Sequence, residues 1–320
     1  MSKAVKVWLT IATVLVVLGV LIFGVVMTIN HWDFSRLGTV KYETNTYEFD
    51  EELRDLSIHT DAADLLFVPS DDETCKVVCY ERQMMHHAVE VKNGTLYIRA
   101  VDARAWYESI GITLETPQIT VYLPQREYGS LTIDGSVGTV ELPDAFSFET
   151  VEISGDTSSV LCRASVSKQL KIELDVGDMQ LENLSAGSLD LATDTGDVTV
   201  TSVSCDKDMQ VEVDTGSARL TDVTCGSLTA TADTGDLLLD RVTAAGDMTL
   251  QSEVGAVQFD GCDAGALHIV TDTGDVTGTL RSEKVFLVES DTGEIDVPKT
   301  ITGGVCEIYT DTGDIQIALE

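Results

Sequence analysis

The chain has 320 residues, enough for two average domains or one elongated repeat array, and at 43% hydrophobic content it can bury a core. Its 54 acidic and 20 basic residues give a formal charge of −34. That balance excludes binding of a phosphate backbone through Lys and Arg clusters, so no nucleic-acid partner is expected, and it favours cations, basic partners or plain solubility.

Residues 7–29 read VWLTIATVLVVLGVLIFGVVMTI, without a charge. A membrane-spanning helix takes about 20 such residues, so this segment is long enough. The NHWDF that follows offers no small-x-small cleavage site. Residues 1–30 therefore read as a short cytoplasmic tip and an uncleaved signal anchor, with Trp8 and Trp32 near the two interfaces. Lys3 and Lys6 nearly balance Arg36 and Lys41 across it. The usual behaviour of a short basic N-terminus then predicts a single-pass protein of the cell membrane, with residues 31–320 outside the cytoplasm.

Residues 31–50 read as a stalk, and 51–130 as an irregular β cap with the first coils. Short strands are predicted at 76–80, 88–91, 95–100 and 118–123, and a surface excursion at 102–117. Leu56, Ile58, Ala63, Leu65 and Phe67 match the repeat described next, with Ala63 in place of its glycine, and predict a displaced extra coil. Met84, Met85, His86 and His87 are ligand types for soft metals. Neighbours on a strand point to opposite faces, so His86 and His87 are read as solvated rather than as one site.

From 131 to 320 the chain repeats every 19 or 20 residues. Asp-Thr-Gly or a degenerate copy marks each turn, with the key position at Gly138, Ser158, Gly177, Gly196, Gly216, Gly235, Gly255, Gly274, Gly293 and Gly313. Seven and five positions before it, and two and four after, the residues are almost all aliphatic, as in Leu189, Leu191, Val198 and Val200. This is period-two alternation on both sides of a turn, hence strand, turn, strand. Glycine supplies the unusual backbone conformation of the turn. Identity of type at equivalent positions favours stacked coils over antiparallel hairpins, because stacking aligns equivalents into columns. The predicted fold is all-β: a parallel β-solenoid, single-stranded and β-helix-like, of about ten coils spaced about 4.8 Å apart.

Asp-Thr-Gly is also the aspartic-protease signature. That chemistry needs two copies facing across a two-fold axis, whereas coil spacing places every copy along one edge. The leading acids Asp194, Asp214, Asp233, Asp272, Asp291 and Asp311 form a row in which each is expected to cap its own turn. A row of calcium ligands is the competing reading, since calcium takes six to eight oxygens. The motif is neither the EF-hand loop nor the calcium-binding nonapeptide. Seven dispersed cysteines, among them Cys75 and Cys79, have no zinc-site spacing, and Cys162 and Cys262 fall on inward columns. Catalytic residues, cofactors and metals are each predicted as none.

The order of an N-terminal anchor, LRDLSIHTDAADLLFVPSDD, NGTLYIRA, ITVYLP, LTIDGSVGTVEL and repeated DTGDV units resembles a bacterial family of candidate adhesins built from β-strand repeats of unknown function. The resemblance covers about residues 50–320 and implies a β-helix-like envelope protein with no catalytic residue. The function expected is a non-enzymatic, membrane-tethered scaffold or binding module, with an envelope protein or glycan as partner. A regulator or sensor of envelope stress is the alternative. A carbohydrate-active enzyme ranks third, because the outer positions are poor in Trp and Tyr.

Overall fold

A computed structural model describes residues 3–29, 31–32, 41–70, 72–102 and 116–320. Helix α1 (Lys3–Ile29) opens the chain, and its apolar stretch Val5–Ile29 is long enough to cross a bilayer. Its Thr10, Thr13 and Thr28 hydroxyls donate to the carbonyls of Lys6, Leu9 and Gly24 at 2.7–2.9 Å, so these polar groups are satisfied within the helix.

The body is a parallel β-solenoid, as the repeat predicts. One coil runs through Asp208–Thr215, turns at Gly216, continues through Ala218–Thr221, turns at Asp222 and adds Thr224–Cys225. A third turn at Gly226 starts the next coil, its N–H donating to the Lys207 carbonyl at 2.6 Å. Neighbouring coils pair in parallel, Leu189 on Met209, Met209 on Leu228, Leu228 on Met248 and Met248 on Leu267. All five are buried. Each such side chain contributes about 1.5–3 kcal/mol by leaving water, and no coil could bury it alone.

The glycine of the first turn answers to sterics. At Gly196 (φ +151°) an added Cβ would lie 2.0 Å from the Gly177 carbonyl oxygen of the adjacent coil. Backbone stacks on backbone here with no room for a side chain. The second turn does not depend on glycine: Asn183, Ser202, Asp222 and Arg241 hold φ of 53–55°, the value that Gly261 also takes in the next coil. These four residue types share no sequence signature.

Both ends depart from chain order. Strands β2 (Asp55–Ala62) and β3 (Asp64–Ser70) form the extra coil around Ala63. It stacks on β8 (Glu127–Leu142), pairing Leu56 with Leu131, Ile58 with Ile133 and Leu65 with Val140. On its other side lie β6 (Thr95–Asp102) and β7 (Gln118–Pro124), also parallel. Antiparallel strands then close the end: β5 (Met85–Lys92) on β6, β4 (Cys75–Arg82) on β7, and β1 (Tyr42–Phe49) on β4. Residues 42–49, assigned from sequence to the stalk, thus belong to the cap. Their alternation is masked by polar residues because an outer strand has only one neighbour to cover it. The excursion at 102–117 and the first part of the stalk lie almost wholly outside the described residues.

At the far end, Gly304–Thr312 inserts between Ala266–Thr273 and Lys284–Thr292. The penultimate repeat in sequence is therefore the outermost in space. Chain-order stacking, implied by the repeat alone, fails at this point because the last coils carry the same template and either fits.

Candidate functional site

Two acidic rows run along the first turn, and they behave differently. The carboxylates two positions before the glycine, at Asp194, Asp214, Asp233 and Asp272, are exposed, and no hydrogen bond reaches them among the described residues. In the same row Asp311, with help from Asp291, lifts the nearby Tyr309 phenol to about 12. The row one position after the glycine makes the caps. Asp178 Oδ1 accepts from the Asp197 N–H at 2.9 Å, Asp197 from Ser217 at 2.8 Å, and Asp236 from Ala256 at 2.8 Å. Asp275 accepts from Asp314, and Asp314 from Glu294, each at 2.8 Å. The sequence expectation that the leading Asp caps its own turn is corrected on both points. The capping acid follows the glycine, and it reaches the neighbouring coil. Its target N–H falls between two rungs of the main-chain ladder and finds no carbonyl opposite.

The Asp-Thr-Gly copies stand in one row along the stack. Among the described residues this row brings no three ligand atoms within 4.8 Å of one another. The turn positions Gly138, Gly177, Gly196, Gly216, Gly235, Gly255, Gly274, Gly293 and Gly313 lie on this same edge, each backing onto the main chain of a neighbour. On the face after this turn, the inward column reaches Gly278. The Phe259 ring fills that place, 2.4 Å from where a Cβ would stand. An open groove beside it is lined by Arg219, Asp240, Gln258, Asp260, Thr277 and Gln316.

All seven cysteines are free thiols and buried. Burial pushes Cys75, Cys162, Cys225 and Cys306 up to about 12 and Cys262 to about 11, so they serve as small apolar fillers.

The cap holds a polar cluster that the sequence reading missed. On β4 the side chains alternate, and Cys75, Val77, Cys79 and Glu81 all point inward. Opposite Glu81 lies His87 of β5, only 5% exposed. This overturns the expectation that the Met84–His87 run is solvated: His86 is half-buried at the edge and His87 is enclosed. Glu81 Oε2 accepts from both the His87 backbone N–H and ring Nδ1 at 2.7 Å. Its Oε1 accepts from Asn45 Nδ2 at 2.7 Å, and His87 Nε2 lies 3.1 Å from Thr60 Oγ1. Burial raises the Glu81 carboxyl, but the His87 and Asn45 bonds outweigh it and hold it below its ordinary value. The Cys79 thiol faces this pair, and burial together with Glu81 pushes it up to about 12. The available signal was an acid at an inward position of an apolar strand, in CKVVCYE.

The family model Toastrack DUF4097 matches residues 53–241 and 206–320, and the chain belongs to that family. No curated protein matches the sequence. Among solved structures, a candidate adhesin of Bacteroides fragilis is similar at 12% identity, covering 86% of this chain and 97% of its own, with a TM-score of 0.40. One from Parabacteroides distasonis shares 12% identity over 88% and 98%, with a TM-score of 0.46. One from Parabacteroides merdae shares 11% over the same shares, at 0.43.

Proposed function

We propose that this chain is a non-enzymatic binding module, held at the membrane by α1 with its solenoid outside the cytoplasm, that presents an acidic edge to an extended envelope partner. The observation that carries this reading is the leading row of carboxylates. Asp194, Asp214, Asp233 and Asp272 are exposed, project from an edge fixed by main-chain stacking, and are not used to hold the fold. Like charges about 5 Å apart repel by roughly 0.8 kcal/mol per neighbour in water. A row that costs stability and caps nothing fits an electrostatic recognition surface for a cationic protein segment or an amine-bearing glycan.

Two measurements test this reading together. A C-terminal tag should be cleaved by protease added to intact cells. The full-length protein in detergent should be retained on purified cell-wall or membrane fractions, less so as salt rises and less when the four aspartates become asparagine. A protected tag, or retention indifferent to both salt and those substitutions, would overturn the proposal.

A further inference from the structure

The strands of the cap place three side chains with metal-binding atoms around one buried point. Cys79 and Glu81 stand two apart on β4 and share its inner face, while His87 comes from β5. Cys79 Sγ, a Glu81 carboxylate oxygen and a His87 ring nitrogen all lie within 4.8 Å of one another. None of the three is more than 5% exposed. We propose that Cys79, Glu81 and His87 form a binding site for a zinc-type divalent transition-metal ion inside the cap.

The donor set is the first reason. Thiolate, imidazole and carboxylate are the three ligands zinc uses, and a sulfur among them disfavours calcium and magnesium. Ligand atoms of a tetrahedral zinc site lie about 3.5 Å apart, which the cluster reaches by small side-chain rotations. The second reason is the surrounding support. Asn45 holds the Glu81 oxygen that the ion would leave free, and Thr60 holds the far nitrogen of the His87 ring. Outer partners of this kind fix carboxylate and ring orientation in metal sites. Charge is the third. From the Glu81–His87 ion pair, coordination expels two protons to solvent, the Cys79 thiol proton and the Nδ1 proton that His87 gives to Glu81, and leaves the ring N–H on Nε2, donating to Thr60. Thiolate and carboxylate then balance the divalent ion, so the buried site is neutral. A small cleft lined by Asp61, Arg82, Met85, His86, His87 and Ala100 lies beside the cluster.

A buried Glu81–His87 ion pair accounts for two of these residues without any ion, and the experiment separates the two cases. Full-length protein in detergent is stripped with a chelator and titrated with Co²⁺, then Zn²⁺, with excess Ca²⁺ and Mg²⁺ present to occupy the acidic surface. The site predicts a single Co²⁺ per chain with a near-ultraviolet thiolate charge-transfer band and visible bands of tetrahedral cobalt, all displaced by Zn²⁺. Cys79→Ser should abolish the thiolate band, and Cys75→Ser should leave it intact. Asn45→Ala should keep the band and weaken affinity by roughly 10–100-fold. A wild-type spectrum without the thiolate band overturns the proposal even if a variant fails to fold. So does a band that survives in Cys79→Ser. The result is independent of what the acidic edge binds.

Discussion

The imidazole Nδ1 of His268 lies 2.9 Å from a carboxylate oxygen of Glu307, two repeats further along the chain. In chain order His268 would face Leu287, but Leu287 instead pairs with the other side of Glu307. Disulfide trapping reads this directly. Adjacent strands place α-carbons about 5 Å apart, within disulfide reach, and strands two layers apart at about 9.6 Å are beyond it. The pair H268C/E307C should crosslink readily on mild oxidation, and H268C/L287C should not. The native thiols are all buried and should not compete. Preferential linkage of 268 to 287 would refute the inserted last coil.

Backbone stacking at the first turn sets a second expectation. Gly196→Ala forces a Cβ to within 2.0 Å of the Gly177 carbonyl oxygen, in a φ region unfavourable to L-residues. Coils must separate locally, and the cost should exceed about 2 kcal/mol. Gly246→Ala at the third turn meets its nearest neighbour at 3.1 Å and carries no positive φ. It should cost less than about 1 kcal/mol. Urea unfolding of the two variants compares them, and equal losses would show that the first turn is not sterically fixed.

Most of the fold was legible because a solenoid writes its geometry into sequence. Leu189, Met209, Leu228, Met248 and Leu267 stack on one another, so each selects the same residue class. The extra coil at Ala63 was readable for the same reason. The coil order at the C-terminal end was not, since a shared template gives two coils no way to differ. The second turn stayed hidden because Asn183, Ser202, Asp222 and Arg241 reach the same left-handed conformation with unrelated side chains. Alternation also could not say which of two acidic rows makes the caps, because both flank the same glycine. Cys79 and Glu81 share the inner face of β4, and His87 joins them only through the antiparallel pairing of β4 with β5, which no repeat reports.

The two acidic rows should respond oppositely to neutralisation. Asp197→Ala removes the acceptor for the Ser217 N–H and should cost roughly 0.5–2 kcal/mol, as loss of other side-chain caps does. Asp197→Asn keeps an acceptor and should cost less. Asp194→Ala removes a carboxylate that bonds nothing and is repelled by its stacked neighbours, so stability should hold or rise slightly. Denaturant midpoints of the three variants decide the matter. A larger loss at Asp194 than at Asp197 would reverse the assignment of the caps.

The outermost coil is pinned to the body by a buried ion pair, and this gives a pH dependence with a defined sign. Lys284 is 3% exposed, and its Nζ donates to Asp263 Oδ1 at 2.8 Å, the Ala264 carbonyl at 2.6 Å and Ser282 Oγ at 2.7 Å. Burial raises the Asp263 carboxyl, but the bonds from Lys284 and Ser282 prevail and hold it below its ordinary value. A carboxyl depressed in the folded state contributes stability that is fully present above its unfolded pKa of about 3.9. That contribution disappears as pH falls through the lower folded value. Asp263→Asn removes the charge at every pH and leaves the buried ammonium with neutral acceptors only, at a cost of about 1–3 kcal/mol at neutral pH. Below the folded pKa wild type and variant should converge. Hydrogen exchange in Lys284–Thr292 is the sensitive readout, because that strand has one neighbour and opens first. A wild-type–variant gap in protection that persisted unchanged into strong acid would show that Asp263 acts by shape rather than by charge.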